Sequence, residues 1–214
     1  METKMTQVTL ECKTISISSY LKNLIIFILL MLTTNVVYAI SLEDSFDDII
    51  LRGKKPVIIL IDLQESYDFS KTGRLQNVID LVNKAQENKA RLIQINYGKS
   101  PTEATLRSQL LRRRYEYYLK EARDAFTPLT CTTRPCWNRT TSLDELLNSE
   151  TDEIILAGVS DACCVLKTAK SALERGFKVH LSRGEKDGNA YLWKRLEDDY
   201  PEKLTIVSSK PCQW

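Results

Sequence analysis

The chain has 214 residues, 43% hydrophobic and 27% charged, and its 30 basic and 28 acidic side chains leave a formal net charge of +2. That length and apolar share suit one globular domain with a sizeable core, and the near-neutral balance argues against a strongly charged partner. The compact basic run Arg112-Arg113-Arg114 precedes Tyr115, Tyr117 and Tyr118. It reads as a solvated helix face with tyrosines packed beneath it rather than as a nucleic-acid surface.

In chain order, Lys13 and Lys22 precede an apolar run over residues 24–32, followed by Thr33-Thr34-Asn35 and then Val36-Val37-Tyr38-Ala39. A basic flank, an apolar core of about 7–15 residues and a small residue at the end make a secretory signal peptide. Residues 1–39 are therefore expected to be a signal peptide cleaved after Ala39, and residues 40–214 a periplasmic or secreted domain. The run is shorter than the roughly 20 residues of a comfortable membrane span. An uncleaved N-terminal anchor is the alternative, and it would be the protein's one membrane contact. Cleavage removes Cys12 and leaves Cys131, Cys136, Cys163, Cys164 and Cys212, an odd number in an oxidising space. Cys131 and Cys136 close a small loop and are the preferred disulfide. With His180 the one histidine and no C-x-x-C pair, structural zinc is not expected.

Residues 41–55 are polar and acidic and read as a lead-in segment. Pro56-Val57-Ile58-Ile59-Leu60-Ile61 is a continuous β-branched run suited to a central strand buried on both faces. Leu75, Val78, Ile79, Leu81, Val82 and Ala85 recur at helical spacing, with Asn88 as a stop. A strand over 91–97 and a helix over 101–119 follow, then an irregular loop over 120–137. Ser142 with Glu145 resembles a capping box for a short helix to Leu147. A strand over 153–157, a helix over 164–175 closed by Gly176, a strand over 177–182, a helix over 189–199 and a strand over 204–207 complete the chain. This alternation predicts an α/β fold, a three-layer α/β/α sandwich with a central, mostly parallel, Rossmann-like sheet. No G-x-G-x-x-G or P-loop pattern occurs, and no cofactor is expected.

Ligands of such sheets bind beyond the carboxyl ends of the strands. Asp62 and Cys164 both follow predicted strands, so the fold brings them to one cleft. At a helix N-terminus, exposed N–H groups and the helix dipole favour a thiolate. Local sequence alone leaves Cys163 and Cys164 equally compatible with small buried residues that pack a helix against a sheet.

Three blocks in order resemble the isochorismatase-like cysteine hydrolases, which include nicotinamidases, N-carbamoylsarcosine amidohydrolases and ureidoacrylate hydrolases. Ile59-Leu60-Ile61-Asp62-Leu63-Gln64, with Tyr67 just beyond, resembles the family's strand ending in the catalytic aspartate. Lys120 followed by Phe126 six residues on resembles its lysine block. Gly158-Val159 with Cys164-Val165 and Thr168-Ala169 resembles its nucleophile block.

The resemblance implies Cys164 as nucleophile, Asp62 as general base and acid, and Lys120 as the charge that holds both. It further implies a cis peptide after Val159 and an oxyanion hole formed by the N–H groups of Ser160 and Cys164. Gln64, Tyr67, Tyr97 and Trp137 are the expected pocket residues, beside a disulfide loop close to the site. Cys163 is expected to be structural, paired with Cys212. Nicotinamidases carry an aspartate and histidines for a metal after the second strand. Here that region, residues 95–99, has no histidine, so no metal is expected and a nicotinamidase with that site is disfavoured, while the retained Cys164 favours cleavage of a C–N bond in a small amide, ureide or carbamoyl compound. Asp161 stands where the family often has threonine, and Asp124 replaces a common serine. The substitution at Asp161 motivates an alternative, a catalytically silent fold serving as an exported binding protein. A homo-oligomer acting on a small molecule completes the expectation.

Overall fold

The computed structural model describes residues 41–67, 74–111, 115–134, 136–147, 150–159, 161–183 and 190–208. The N-terminal segment with its Ala39 boundary, Arg112-Arg113-Arg114, Ser160 and Cys212 lie outside them.

The sheet is built around β1 (Val57–Ile61), whose five residues are all buried. Side chains alternate along a strand. Val57, Ile59 and Ile61 therefore enter one apolar cluster, and Ile58 and Leu60 enter the other. A strand buried on both faces needs a helical layer on each side, and both are present. Against Ile58 and Leu60 pack α1 (Leu42–Leu51), α2 (Leu75–Glu87) and α3 (Ala104–Leu111), through Phe46, Leu81 and Leu106 among others. The opposite face carries α4 (Leu143–Leu146), α5 (Leu166–Glu174) and α6 (Ala190–Asp199), through Leu143, Ala169 and the fully buried Trp193.

The remaining strands are β2 (Arg91–Tyr97), β3 (Glu116–Lys120), β4 (Leu129–Cys131), β5 (Thr140–Thr141), β6 (Glu153–Gly158), β7 (Lys178–Arg183) and β8 (Leu204–Ser208). They form one eight-stranded sheet in the order β5-β4-β3-β2-β1-β6-β7-β8. Strands β1, β2, β3, β6, β7 and β8 run parallel, while β4 and β5 add antiparallel pairings at one edge. The three-layer, mostly parallel architecture is the one the sequence predicts. Strand order reverses between β1 and β6, which makes the crevice above their carboxyl ends the topological switch point.

Three expectations are corrected. Residues 41–55 are no lead-in: Ser41 caps α1, its Oγ accepting from Asp44 N–H at 3.1 Å while the Asp44 carboxylate accepts from Ser41 N–H at 2.7 Å. The helix expected over 101–119 is only α3, and Tyr115–Lys120 lead into and form β3 instead. Leu106 and Leu110 set a helical period, but Tyr117, Tyr118 and Leu119 are residues that fit a pleated, half-buried surface. Finally, the loop expected over 120–137 contains β4, whose Leu129 and Cys131 pair with Lys120 and Tyr118. Cys131 and Cys136 are disulfide-bonded at the foot of that hairpin.

Candidate active site

Asp62 follows β1 directly. Its N–H donates to the Ile95 carbonyl at 2.9 Å, which continues the ladder one step beyond the strand, and its φ is +56°. A left-handed aspartate costs backbone energy and turns the side chain out of the strand's alternation. Lys120 ends β3, opposite Tyr97 of β2. It is wholly buried, and its Nζ donates to Asp62 Oδ2 at 3.0 Å and to the Arg123 carbonyl at 3.4 Å. The same ammonium lies 5.6 Å from the centre of the Tyr97 ring. Asp62 Oδ1 is buried and has no hydrogen-bond partner among the described residues.

Cys164 comes from the third direction. Strand β6 ends at Gly158, paired with Ile61, and residues 161–165 form a single π-helical turn that runs into α5. Glycine is required at 158: a Cβ there would stand 2.6 Å from the Ile61 carbonyl oxygen and 2.7 Å from a Val165 methyl. The close approach of β1, β6 and the turn sets Cys164 against Asp62. Burial pushes the Cys164 thiol well above its ordinary value, the facing Asp62 carboxylate adds to the shift, and the Lys120 ammonium opposes it. Burial and Asp62 thus both work against the thiolate that a helix terminus favours. A buried sulfur anion beside a carboxylate would leave two negative charges sharing one cation. The proton stays on sulfur, where Asp62 can take it.

The loop after Lys120 is moored to α5. Thr168, fully buried, accepts from Ala125 N–H at 3.0 Å, while Asp124 accepts from Phe126 N–H at 3.0 Å and from Ser171 Oγ at 2.5 Å. The spacing from Lys120 to Phe126 thus has a mechanical reason: the loop ties β3's end to the helix that carries Cys164. Asp124 supplies one of these links, through Ser171, and braces the loop itself through Phe126 N–H. Arg74, just before α2, donates to the Val159 carbonyl at 3.1 Å. No sequence pattern singled it out, because its partner is a backbone atom 85 residues away.

Of the expected pocket residues, two stand at the site. The Tyr67 phenol has its pKa raised first by burial and then by Asp62, Cys164 and Tyr97, which places it among them. Tyr67 and Tyr97 keep 43% and 44% of their surface exposed, enough to meet a ligand. Gln64 is instead committed to scaffolding. Its Nε2 donates to the carbonyls of Tyr97 and Ser100, and its Oε1 accepts from Tyr97 N–H. It fixes the end of β2, and Tyr97 with it.

Trp137 is 64% exposed, between β4 and β5 at the sheet edge. Because β4 runs antiparallel from Leu129, opposite Lys120, to Cys131, the chain runs back from the strands' carboxyl ends before it reaches the disulfide loop and Trp137. Cys163 is half-buried and its thiol has no disulfide partner among the described residues, while the pairing expected with Cys212 falls on a residue outside them. The peptide after Val159 involves Ser160, and the Asp161 side chain likewise lies outside the described part. Among the described residues no cluster of three histidine, cysteine or acidic side chains could hold a metal, and no helix is long and apolar enough to cross a membrane.

A mostly parallel α/β sheet thus brings an aspartate, a lysine and a cysteine together at its switch point. Residues 56–183 match the isochorismatase domain model, more than half of the chain, and the protein belongs to the isochorismatase-like hydrolase family. Its fold is similar to that of the nicotinamidase SaPncA from Staphylococcus aureus, at 15% identity and a TM-score of 0.54, covering 73% of this chain and 99% of that one. The MAR1 ribonuclease from Caenorhabditis elegans is similar at 18% identity and a TM-score of 0.55, covering 72% and 77%. N-carbamoylsarcosine amidase from Thermoplasma acidophilum is similar at 16% identity and a TM-score of 0.51, covering 75% and 99%. No curated protein matches the chain in sequence.

Proposed function

We propose that this protein is a cysteine amidohydrolase that cleaves a C–N bond of a small amide, ureide or carbamoyl compound. The observation that carries the reading is the convergence of a buried Cys164 thiol with an Asp62 carboxylate whose Oδ2 accepts from Lys120 Nζ at 3.0 Å. Asp62 takes the Cys164 proton as sulfur attacks the carbonyl carbon. N–H groups of Ser160 and Cys164 stabilise the oxyanion. Collapse breaks the C–N bond, and Asp62 delivers its proton to the leaving nitrogen. Asp62 then draws a proton from water, which attacks the thioester. The acid product leaves, and Asp62 returns the proton to the Cys164 sulfur. Lys120 keeps Asp62 fixed through each transfer. Tyr67 and Tyr97 give the substrate an aromatic border, and Arg74 holds the Val159 carbonyl beside the oxyanion site. The disulfide fits an oxidising compartment, in keeping with export of residues 40–214 after cleavage at Ala39. Assembly as a homo-oligomer is proposed with it.

The test is turnover of a panel of primary amides, ureides and carbamoyl amino acids, with hydroxylamine trapping of the acyl-enzyme. Wild type is expected to turn over at least one class and to release its acyl group as a hydroxamate, whereas Cys164→Ala gives neither. Turnover retained by Cys164→Ala would overturn the assignment, and a wild type inert on every class would favour the catalytically silent alternative.

A further inference from the structure

A second concave surface lies at the opposite edge of the sheet, below the amino ends of β6 and β7. The cavity measures about 400 Å³ and is lined by the segment after α1, the approach to β6, the α5–β7 turn and Lys203. Strand β6 runs from Glu153, in its wall, to Gly158 at the catalytic end. At about 3.3 Å per residue the two sites are separated by the length of that strand, roughly 20 Å.

Its charge is one-sided. Arg52, Lys54, Arg175, Lys178 and Lys203 face two carboxylates, Asp152 and Glu153, a larger cationic excess than the +2 of the whole chain. Both carboxylates are already engaged. Glu153 takes a bidentate pair from Arg52 at 2.5 and 2.8 Å and a bond with His180 at 3.0 Å, and Asp152 pairs with Lys54. Arg175 is held by Asp144 at 2.6 Å. Lys178 and Lys203 have no ion-pair partner among the described residues, and no lining acid is free to neutralise them.

The frame that carries these lysines is fixed. Lys178 N–H donates to the Asp152 carbonyl at 2.8 Å and Val179 N–H to the Lys203 carbonyl at 2.7 Å. The negative end of α5 does not compete for the cations, because its last turn is closed by N–H groups of Arg175, Gly176 and Phe177. Gly176, at φ +95°, keeps that turn tight and leaves Lys203 Nζ room above it: a Cβ there would lie 3.9 Å from the ammonium. Phe177, half-buried, adds an apolar wall.

We propose that this cavity binds a small organic phosphate, its phosphate between Lys178 and Lys203 and its organic part against Phe177. Two unpaired ammonium groups on rigid backbone are compact point charges suited to a phosphate. The volume exceeds what a bare phosphate fills, which leaves room for the organic portion. Such a ligand would be an effector or a tether rather than a substrate, since it enters from the edge away from Cys164.

The test is calorimetric titration of the full chain with adenosine 5′-monophosphate, adenosine and inorganic phosphate. The monophosphate is expected to bind saturably and adenosine not, and inorganic phosphate more weakly than the monophosphate. Lys178→Ala/Lys203→Ala should weaken the monophosphate at least about tenfold. Lys170→Ala/Lys194→Ala, an equal charge change on helix surfaces where both lysines have i,i+4 partners, should leave it unchanged. Cys164→Ala should also leave it unchanged, so this result stands or falls apart from the catalytic reading. Absence of saturable binding, equal weakening by both lysine pairs, or loss on Cys164→Ala would each overturn the proposal.

Discussion

The two edges of the sheet treat buried charge in opposite ways. At the carboxyl edge, Asp62 is strained at φ +56°, one of its oxygens has no partner among the described residues, and it faces a thiol that burial keeps protonated. At the amino edge, the equally buried Glu153 has both oxygens occupied by Arg52 and one of them also by His180. Hydrogen bonding by Arg52 lowers its pKa to about 2, against the cost of burial. A saturated carboxylate is fixed in one ionisation state and contributes stability. A partly satisfied one can exchange a proton, and the fold carries the cost of leaving it so.

Exchanging the residues of the two edges should separate activity from stability, with the largest effect at the carboxyl edge. Asp62→Asn should lower kcat by about 10²–10⁴, the usual span for losing a general base, in steady-state assays on whichever substrate class proves active. Lys120→Met removes one half of a buried pair. Breaking such a pair costs about 3–5 kcal/mol, so this variant should lose both activity and several degrees of Tm in thermal unfolding. Loss of activity with an unchanged Tm would mean that Lys120 contributes to catalysis alone.

Next in size, Glu153→Gln should lower Tm by about 4–8 °C, as expected for roughly 2 kcal/mol in a domain of this size, with kcat retained. The pH dependence has a definite sign. Glu153 has a lowered pKa, so its contribution is present above the ordinary carboxylate value and is lost as pH falls through about 2. His180 has its pKa lowered by burial, against the pull of Glu153, so its share too is lost on acidification, starting below its unfolded value of about 6.5. Urea midpoints of wild type should therefore fall from pH 7 to pH 3 more steeply than those of Glu153→Gln. At the other edge the sign reverses. A raised thiol pKa predicts that iodoacetamide labelling of Cys164 is slow at pH 7 and still climbing above pH 9, read by peptide mass spectrometry. A plateau below pH 8 would show a thiolate at rest.

Much of the carboxyl edge was legible in the chain, because its elements announce themselves locally. The β-branched run before Asp62, the glycine at 158 and the helical period after Cys164 each specify backbone, and the switch-point rule then brings their ends together. What local pattern could not supply were interactions between distant segments. Tyr117–Lys120 become a strand because β2 offers a parallel partner, and Trp137 leaves the site because β4 runs antiparallel to β3. The protonation of Cys164 depends on burial and on Asp62, neither of which a helix terminus reports. Gln64, an expected pocket residue, has its amide used up by the backbone of residues 97–100, which no local pattern reports.

The smallest effect falls on the element that the polar residues at 41–55 concealed. Helix α1 has two acidic residues in its first turn and ends at Arg52, the residue that saturates Glu153. Its N-cap is Ser41, and replacing a capping serine with alanine costs about 1 kcal/mol. Ser41→Ala should therefore lower Tm by about 2–4 °C. If α1 serves the amino edge by presenting Arg52, that loss should shrink in a Glu153→Gln background, because a frayed helix then has less of an ion pair to lose. The double-mutant cycle reads this directly. Strict additivity would mean that Ser41 stabilises α1 for its packing through Phe46 and Ile49 alone, and that the Arg52–Glu153 pair forms whether or not the cap is made.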